Sequence, residues 1–499
     1  MMLLADLLKD LYEQPIPLEF ASQIVKSISC DSRKIEPGTF FVAVQGVTGH
    51  GQKFIDDAVR KGARIVVCPQ SNLDISYMQK HADVCFLPVR DPEQILRRLL
   101  ERFYGRPSAK VRAVGITGTN GKTTISYLLE SILGSAGHSC GVVGTINYRY
   151  GSKILPSHNT TPGIVENQAF LAEMAATNVE YCVMEVSSHA LAQGRVDLID
   201  FKAAVFTNLT SDHMDYHKDR EDYFLAKSKL FAMLSDQAAA ILPSDDEYGQ
   251  RLVKMTKSRV VTYGVTQPAD FRAKDLHMGL SETRFVIRAP EGEIPLATRL
   301  IGLHNVYNIL AATAVCAVEG IPLSQIRAGL ERLDNVPGRL EQIRGEQDFH
   351  VFVDYAHTED ALKNILTSIR GVSDRPVILV FGCGGDRDRT KRPRMGRVAS
   401  ELADRVILTD DNPRSEDPQA IVDEIIPGFA RNNYTVILDR ETAIRTALGM
   451  AGKGDVVVVA GKGHEDYQIF KDKTVPFKEH DVIRQYLREL KTPAGTERP

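Results

Sequence analysis

An excess of charge of either sign is nearly missing from this chain, with 61 Lys and Arg against 64 Asp and Glu. Across 499 residues the formal net charge is −3, and no lysine- or arginine-rich run stands out. A basic patch or stripe is the electrostatic footprint of a nucleic-acid binder, so no nucleic-acid partner is expected. Cysteine is sparse and unpaired. Seven residues, at 30, 68, 85, 140, 182, 316 and 383, show no CxxC spacing. That argues against a disulfide frame or a zinc site and for reduced thiols in a cytoplasmic protein. Long apolar runs are lacking too. Runs such as Val456–Ala460 fall far short of the roughly 20 residues a spanning helix needs, so no membrane partner is expected. The start, MMLLADLLKDL, reads as an amphipathic helix, and Asp6 and Lys9 interrupt it too early for a signal segment. What remains is ordinary globular composition, 43% hydrophobic and 25% charged, in a length that suggests about three domains.

The densest signal is VRAVGITGTNGKTT, residues 111–124. Val111, Val114 and Ile116 predict a short buried strand, and Ile125, Leu128, Leu129, Ile132 and Leu133 follow at helical spacing. A glycine-rich turn between a strand and a helix is a phosphate site. Backbone N–H groups converge there, and the helix N-terminus adds partial positive charge. Gly118, Thr119, Asn120, Gly121, Lys122, Thr123 and Thr124 are therefore the candidate nucleotide loop. Lys122 is placed for the terminal phosphates and the Thr123 hydroxyl for Mg²⁺. The general phosphate-loop pattern wants a glycine where Ile116 stands, so this is a tighter variant. The alternative is a strand–helix turn that binds nothing.

The predicted fold class is α/β with three domains. A small N-terminal α/β unit covers residues 1–107 and carries no nucleotide motif. A central, phosphate-loop-type unit with a mostly parallel sheet covers 108–336. A Rossmann-like C-terminal unit covers 337–499. Strand-like runs recur at 139–145, 181–185 and 203–208 in the second unit. The third has them at 351–353, 377–381, 406–409, 435–438 and 456–460. Strands alternating with helices predict parallel sheets whose ligands sit at the strand carboxyl ends.

Polar clusters stand at those ends. Glu185 closes an apolar strand, where a carboxylate is costly unless it works, and it suits Mg²⁺. A helix-capping carboxylate is the alternative. Residues 207–217, TNLTSDHMDYH, bring His213 beside several acids, and Lys227 follows. Asn305 and Asn308 lie three apart on one helical face, with capping as the alternative for one of them. In the third unit the loops hold Arg387, Lys391 and Arg414 against Asp386, Asp411 and Glu465. Mixed charge of this kind suits a zwitterion, with the arginine fork on a carboxylate and the acids on an ammonium. The GCGGD run, residues 382–386, does not fit a dinucleotide fingerprint.

Taken together, TGTNGKTT, MEVSSH, TNLTSDHMDYH, HNVYN, PGR and VDYAH resemble the Mur ligase family over essentially the whole chain. These are the ATP-dependent amide-forming enzymes of peptidoglycan synthesis. DNPR, residues 411–414, resembles the members that add meso-diaminopimelate to UDP-N-acetylmuramoyl-L-alanyl-D-glutamate. The resemblance implies ATP and Mg²⁺ as cofactors, an acyl-phosphate intermediate, hinged domains and a monomer. It implies catalytic roles for Lys122, Glu185, His213 and Lys227. The metal would lie on Thr123, Glu185, His213 and a carbamylated Lys227. Asn305, Arg339 and Asp354 join the nucleotide site by the same resemblance. Cys30, Ser32, Val47, Thr48, Gly49, Asn159, Thr160, Thr161, Ser187, Gln193 and Arg195 would bind the UDP-sugar peptide. Arg387, Asp411, Asn412, Pro413, Arg414, Gly461 and Glu465 would bind the amino acid. Competing expectations are a lysine-adding, D-alanyl-D-alanine-adding or folylpolyglutamate-type ligase, a nucleotide-gated switch, and a phosphate-loop kinase.

Overall fold

Short β-branched runs separated by amphipathic helices leave the strands few options but parallel pairing, with helices covering the faces. The computed structural model describes residues 1–46, 49–72, 75–210 and 216–490, and it contains three such sheets in series.

The first has strands β1 (Ser27–Ser29), β2 (Thr39–Val42), β3 (Ile65–Pro69) and β4 (Cys85–Val89), all parallel. Helix α1 (Pro92–Tyr104) follows. The Asp91 side chain caps it by accepting from the Gln94 N–H, Pro92 fits its first turn, and Gly105 ends it at φ 69°. Its Leu96, Leu99 and Leu100 pack in one core with Leu4, Leu7, Leu8 and Leu11 of the leucine-rich start. The helix there is only Leu4–Leu8, because Lys9 leaves the helical region and Asp10 turns the chain at φ 57°.

The second sheet begins with β5 (Arg112–Thr117), α2 (Lys122–Ser135), β6 (Cys140–Val143), β7 (Asn147–Tyr150), β8 (Lys153–Pro156), α3 (Ile164–Ala176), β9 (Tyr181–Glu185), β10 (Phe201–Phe206) and α4 (Arg220–Ala232). It continues with β11 (Ala239–Pro243), β12 (Arg259–Gly264), β13 (Phe271–Met278), β14 (Thr283–Ala289), β15 (Gly292–Thr298) and α5 (Leu303–Val318). The strand order is β8-β7-β6-β9-β5-β10-β11-β12-β13-β14-β15. Pairing is parallel from β6 to β13 and antiparallel at both ends. The antiparallel meander over 271–298 departs from a purely alternating strand–helix reading. Strand β5 lies mid-sheet, so the loop after it opens between the ends of β9 and β10. Helices α2 and α5 cover one face, and α3 and α4 the other.

The third sheet uses β16 (Glu341–Gln342), β17 (His350–Asp354), α6 (Glu359–Arg370), β18 (Val377–Phe381), α7 (Lys391–Leu402), β19 (Arg405–Leu408), β20 (Tyr434–Val436), α8 (Arg440–Met450), β21 (Val456–Ala460) and α9 (Glu479–Glu489). Its order is β16-β17-β21-β18-β19-β20, parallel except at β16. Helices α6 and α7 cover one face and α8 and α9 the other. Among the described residues no helix is long and apolar enough to cross a membrane.

Candidate active site

The loop after β5 is shaped by two glycines at φ 138° (Gly118) and φ 94° (Gly121). A Cβ on Gly118 would collide with Thr207 Oγ1 at the end of β10, and one on Gly121 would lie 2.5 Å from Asn308 Oδ1 on α5. The backbone therefore runs where only glycine fits. Thr119 N donates to Asn208 O at 2.9 Å and Asn120 N to Asn208 Oδ1 at 3.1 Å, which ties the loop to the neighbouring strand end. Lys122 Nζ folds over the loop and donates to Gly118 O and Thr119 O, both at 2.8 Å. Lys227 on α4 is 1% exposed. Its Nζ donates to Gly118 O at 2.8 Å and lies 4.4 Å from the centre of the Tyr223 ring.

Glu185 ends β9 at 1% exposure. It accepts from Thr123 Oγ1 at 2.9 Å, from Thr145 Oγ1 at 2.9 Å and from Thr145 N at 3.1 Å. It caps no helix. Thr123 also accepts from Arg339 Nη2 at 3.2 Å, which brings the third sheet's leading segment onto the loop. Asp354, at the end of β17, accepts from Leu340 N at 2.6 Å and Ala356 N at 2.7 Å. Burial pushes its carboxyl up to about 6, against the pull of Arg339 and those two N–H groups.

Residues 119–124, Thr145, Glu185, Arg339 and Asp354 line one cavity of about 680 Å³ between the second and third sheets, and Lys227 is outside that lining. Leu303, His304, Tyr307 and Asn308 of α5 wall it on one side, and Ala361, Asn364, Ile365 and Ser368 of α6 on the other. Asn305 is outside the lining. Its amide donates to Ile301 O at 2.8 Å and its Oδ1 accepts from Asn308, so it positions Asn308 against the loop. Burial also lowers His304 to about 4, which keeps its ring neutral near pH 7.

The site fits a nucleoside triphosphate with Mg²⁺. Arg339 Nε is buried in the wall without an acceptor among the described residues, a donor complementary to an anion. The Thr123 hydroxyl and the Glu185 carboxylate touch at the foot of the loop. Among the described residues no group of three His, Cys, Asp or Glu side chains forms a metal cage. One carboxylate, one hydroxyl and ligand phosphates are what Mg²⁺ characteristically takes.

Beside the cavity, loops after β19 and β21 build a charged cluster. Asn412 Nδ2 donates to Glu465 Oε2 at 2.9 Å, and Asn412 Oδ1 accepts from Ile469 N at 2.9 Å. Lys462 Nζ donates to Glu465 Oε2 at 2.9 Å and Asn412 Oδ1 at 3.1 Å, with Asp411 Oδ1 at 3.6 Å. Gly461 is at φ 121°, and a Cβ there would lie 3.1 Å from Asp411 Oδ2. Arg414 holds the left-handed region at φ 53°, its N–H on Ile469 O at 3.0 Å and its Nη1 on Gly385 O at 2.8 Å. Pro413 lies between Asn412 and Arg414, and its carbonyl faces Gly385. Arg387 is exposed, beside Gly384 with Arg414. Lys391 turns away to His357 O at 2.8 Å, and Asp386 is taken by Ser415 Oγ at 2.6 Å.

The remaining candidates form a third group. Thr161 Oγ1 donates to Glu185 O at 2.8 Å and accepts from Ser187 N at 3.0 Å. Arg195 reaches Thr161 O at 2.9 Å and Gln193 Oε1 at 2.9 Å. Thr160 Oγ1 is 3.1 Å from Thr145 Oγ1, and Asn159 O accepts from Tyr148 OH at 2.5 Å. Cys30 and Ser32 lie on the turn after β1, exposed and buried respectively, near the Lys34–Glu166 ion pair of 2.5 Å that joins the first two sheets. Gly49 sits in a two-residue strand. Val47, Thr48 and His213 lie outside the described residues.

Three family descriptions match in chain order. "Mur ligase family, catalytic domain" covers residues 24–104, "Mur ligase middle domain" 116–316, and "Mur ligase, glutamate ligase domain" 338–463. The chain belongs to the Mur ligase family. The UDP-N-acetylmuramoyl-L-alanyl-D-glutamate–2,6-diaminopimelate ligase of Clostridium botulinum is 42% identical over 468 residues, 93% of this chain and 96% of that protein. The Bacillus velezensis protein of the same name is 40% identical over 495 residues, 98% of this chain and 99% of its own. A solved structure of a ligase so named aligns over 98% of this chain and 100% of that chain, with a TM-score of 0.70 and 31% identity. The MurF ligase of Thermotoga maritima, solved with ADP, shares the fold with a TM-score of 0.60 at 18% identity, over 93% of this chain and 97% of its own.

Three groups in this Mur ligase's site escape the motif reading. Lys462 stands between two glycines and reads as loop, although it is fully buried. Thr145, which holds both Glu185 oxygens, reads as a strand end. Asp360 accepts from Asn120 Nδ2 at 3.1 Å and Thr210 Oγ1 at 2.7 Å, yet reads as an ordinary first-turn acid of α6.

Proposed function

We propose that this Mur ligase uses ATP to join meso-2,6-diaminopimelate to the D-glutamate of UDP-N-acetylmuramoyl-L-alanyl-D-glutamate. Relatives about 40% identical over nine-tenths or more of the chain carry that activity in their names. In this reading residues 1–107 take the UDP-sugar, 108–336 the nucleotide, and 337–499 the amino acid. ATP bound on the loop supplies the phosphoryl group that activates the glutamate carboxylate as an acyl phosphate, with Mg²⁺ held by Thr123 and Glu185.

The chain's own groups account for the rest. Lys122 and Arg339 exchange their present partners for phosphate oxygens and offset charge as it builds. The walls from α5 and α6 keep water from the activated carboxylate. Thr161, Gln193 and Arg195 orient the sugar-peptide. Asp411, Asn412 and Glu465 receive the ammonium of an amino-acid end, and Arg414 receives its carboxylate bidentately.

The observation that carries the choice of amino acid is Arg414. A non-glycine residue in the left-handed region costs about 1–2 kcal/mol, and here the Ile469 and Gly385 bonds hold it there. Its guanidinium is thereby fixed beside an acid cluster. Diaminopimelate differs from lysine by an extra carboxylate at the end of the side chain, and a fixed arginine is a receptor for it.

The test is phosphate release with the UDP-linked dipeptide, ATP and a panel of amino acids, with mass spectrometry of the product. Diaminopimelate is expected to drive amide formation at least tenfold more efficiently than lysine. Equal use of lysine would overturn the amino-acid assignment. A stable phosphorylated product without an amide would overturn the ligase reading.

A further inference from the structure

Lys462 is a fully buried ammonium with a defined set of neighbours, and the reaction as drawn above gives it no task. A buried lysine is costly unless its charge is answered. Here it is over-answered, because two carboxylates, Glu465 at 2.9 Å and Asp411 at 3.6 Å, flank one ammonium. The Asn412 amide orientation is unambiguous. The Ile469 N–H can only donate, so the atom facing it is the oxygen, and the amide nitrogen must face Glu465. Lys462 and Asn412 therefore both donate to Glu465 Oε2. Among the described residues no donor reaches Oε1.

The Arg440–Glu479 pair, both fully buried, stiffens the cluster from behind. Arg440 donates to Asp410 O at 2.9 Å and Ala460 O at 2.8 Å, which pins the two strand ends that carry Asp411 and Gly461.

We propose that Lys462 is the positioning and specificity residue of the amino-acid pocket, acting through Glu465 and Asn412. It has two effects. It saturates Oε2 and so turns the remaining Glu465 oxygen outward as the acceptor for an incoming ammonium. It also lowers the acid pair from two negative charges to one, so that the pocket is balanced by a single ammonium, the amino group of one amino-acid end. Without it, two adjacent carboxylates would repel and reorient, and a divalent cation or a second ammonium would satisfy them better than an amino acid does. This inference rests on the amino-acid pocket proposed above.

The test is steady-state kinetics of Lys462→Met, which keeps length and removes charge, with each of the three substrates varied in turn. The KM for diaminopimelate is expected to rise 10- to 100-fold, while the KM values for ATP and the UDP-linked dipeptide stay within about twofold. In a double-mutant cycle with Glu465→Gln, the double variant is expected to be no worse than Glu465→Gln alone, since the lysine acts through that carboxylate. Should Lys462→Met fail to fold, Lys462→Gln/Glu465→Gln, which removes both charges, is compared with Glu465→Gln for the same coupling. An unchanged KM for diaminopimelate, equal losses for all three substrates, or additive effects in the cycle would each overturn the proposal. Absence of any diaminopimelate-dependent turnover in the wild type would overturn the substrate reading, and this proposal with it. Wild-type turnover with an insensitive Lys462 variant would overturn this proposal alone.

Discussion

Asp354 sets burial against hydrogen bonding. Each of its oxygens accepts one backbone N–H, from Leu340 and Ala356, and Arg339 is nearby. Both features favour the carboxylate, yet burial outweighs them and the group titrates near 6. A carboxyl raised from 3.8 to about 6 favours folding fully below pH 4, and that advantage is lost as pH rises through 6. The loss amounts to about 3 kcal/mol, at 1.36 kcal/mol per unit. Asp354→Asn does not titrate, and it leaves one buried N–H facing an amide NH₂, at a constant cost of about 1–3 kcal/mol. The stability gap between wild type and variant in urea should therefore shrink by up to about 3 kcal/mol between pH 4 and pH 7. A gap that stays flat would show that the two N–H groups and Arg339 keep Asp354 ionised throughout. At this scale, legibility followed chemical incongruity. Glu185 was legible because a carboxylate ending an apolar strand contradicts its surroundings. Lys462 and Asp360 were not, because a lysine between glycines and an acid in a first helical turn both look ordinary until folding buries or bridges them.

Among the elements, the turn from β5 to α2 is the most constrained. Its conformation depends on Gly118 more than on any side chain, because φ 138° and the nearby Thr207 hydroxyl both exclude a Cβ. Gly118→Ala must move β10's end or the loop itself. Nucleotide affinity is expected to fall at least 100-fold by calorimetry, with a melting temperature lower by several degrees. Retained affinity would show that the loop relaxes without losing its converging N–H groups. Strands Tyr181–Glu185, Val377–Phe381 and Val456–Ala460 are legible to the residue, since each is a run buried on both faces and apolar throughout but for the closing Glu185. The meander over 271–298 was not, because its exposed face alternates charged residues such as Arg284, Arg288 and Glu293 with the buried ones. Its signal has period two and is easily lost beside stronger motifs. The N-terminal helix ended after Leu8 because backbone geometry at Lys9 and Asp10, not leucine spacing, sets its end.

At the scale of the molecule, the site exists only because the third sheet rests on the loop of the second. His304 meets Ser368 at 3.1 Å and Arg344 reaches Ser281 O at 3.3 Å across that junction, and two further contacts tie the loop's own end of it. Arg339 reaches Thr123, and Asp360 Oδ2 accepts from Asn120 Nδ2 and Thr210 Oγ1 while also holding Asn364. No motif reports such a contact, since Asn120 and Asp360 are 240 residues apart in sequence. Asp360 does not line the cavity, so any effect of removing it on ATP must pass through the junction. Charge-assisted bonds of this kind are worth about 1.5–3 kcal/mol when buried, and less at a part-exposed junction, so Asp360→Ala should loosen it by about 1–2 kcal/mol. That is a 5- to 30-fold smaller population of the assembled site. Apparent affinity scales with the fraction of competent molecules, so the KM for ATP should rise by the same factor if the junction is marginal in the free protein. Small-angle scattering of the nucleotide-free variant should show a larger radius of gyration than wild type, and saturating ATP should bring the two together. Asp360→Asn should fall between, because its amide oxygen in the place of Oδ2 can accept from both Thr210 and Asn120 but carries no charge to strengthen either bond. If Asp360→Ala leaves both the KM for ATP and the scattering unchanged, the remaining contacts, Arg339 to Thr123, His304 to Ser368 and Arg344 to Ser281, hold the sheets together, and the Asn120–Asp360–Thr210 bridge is a consequence of closure and not a cause.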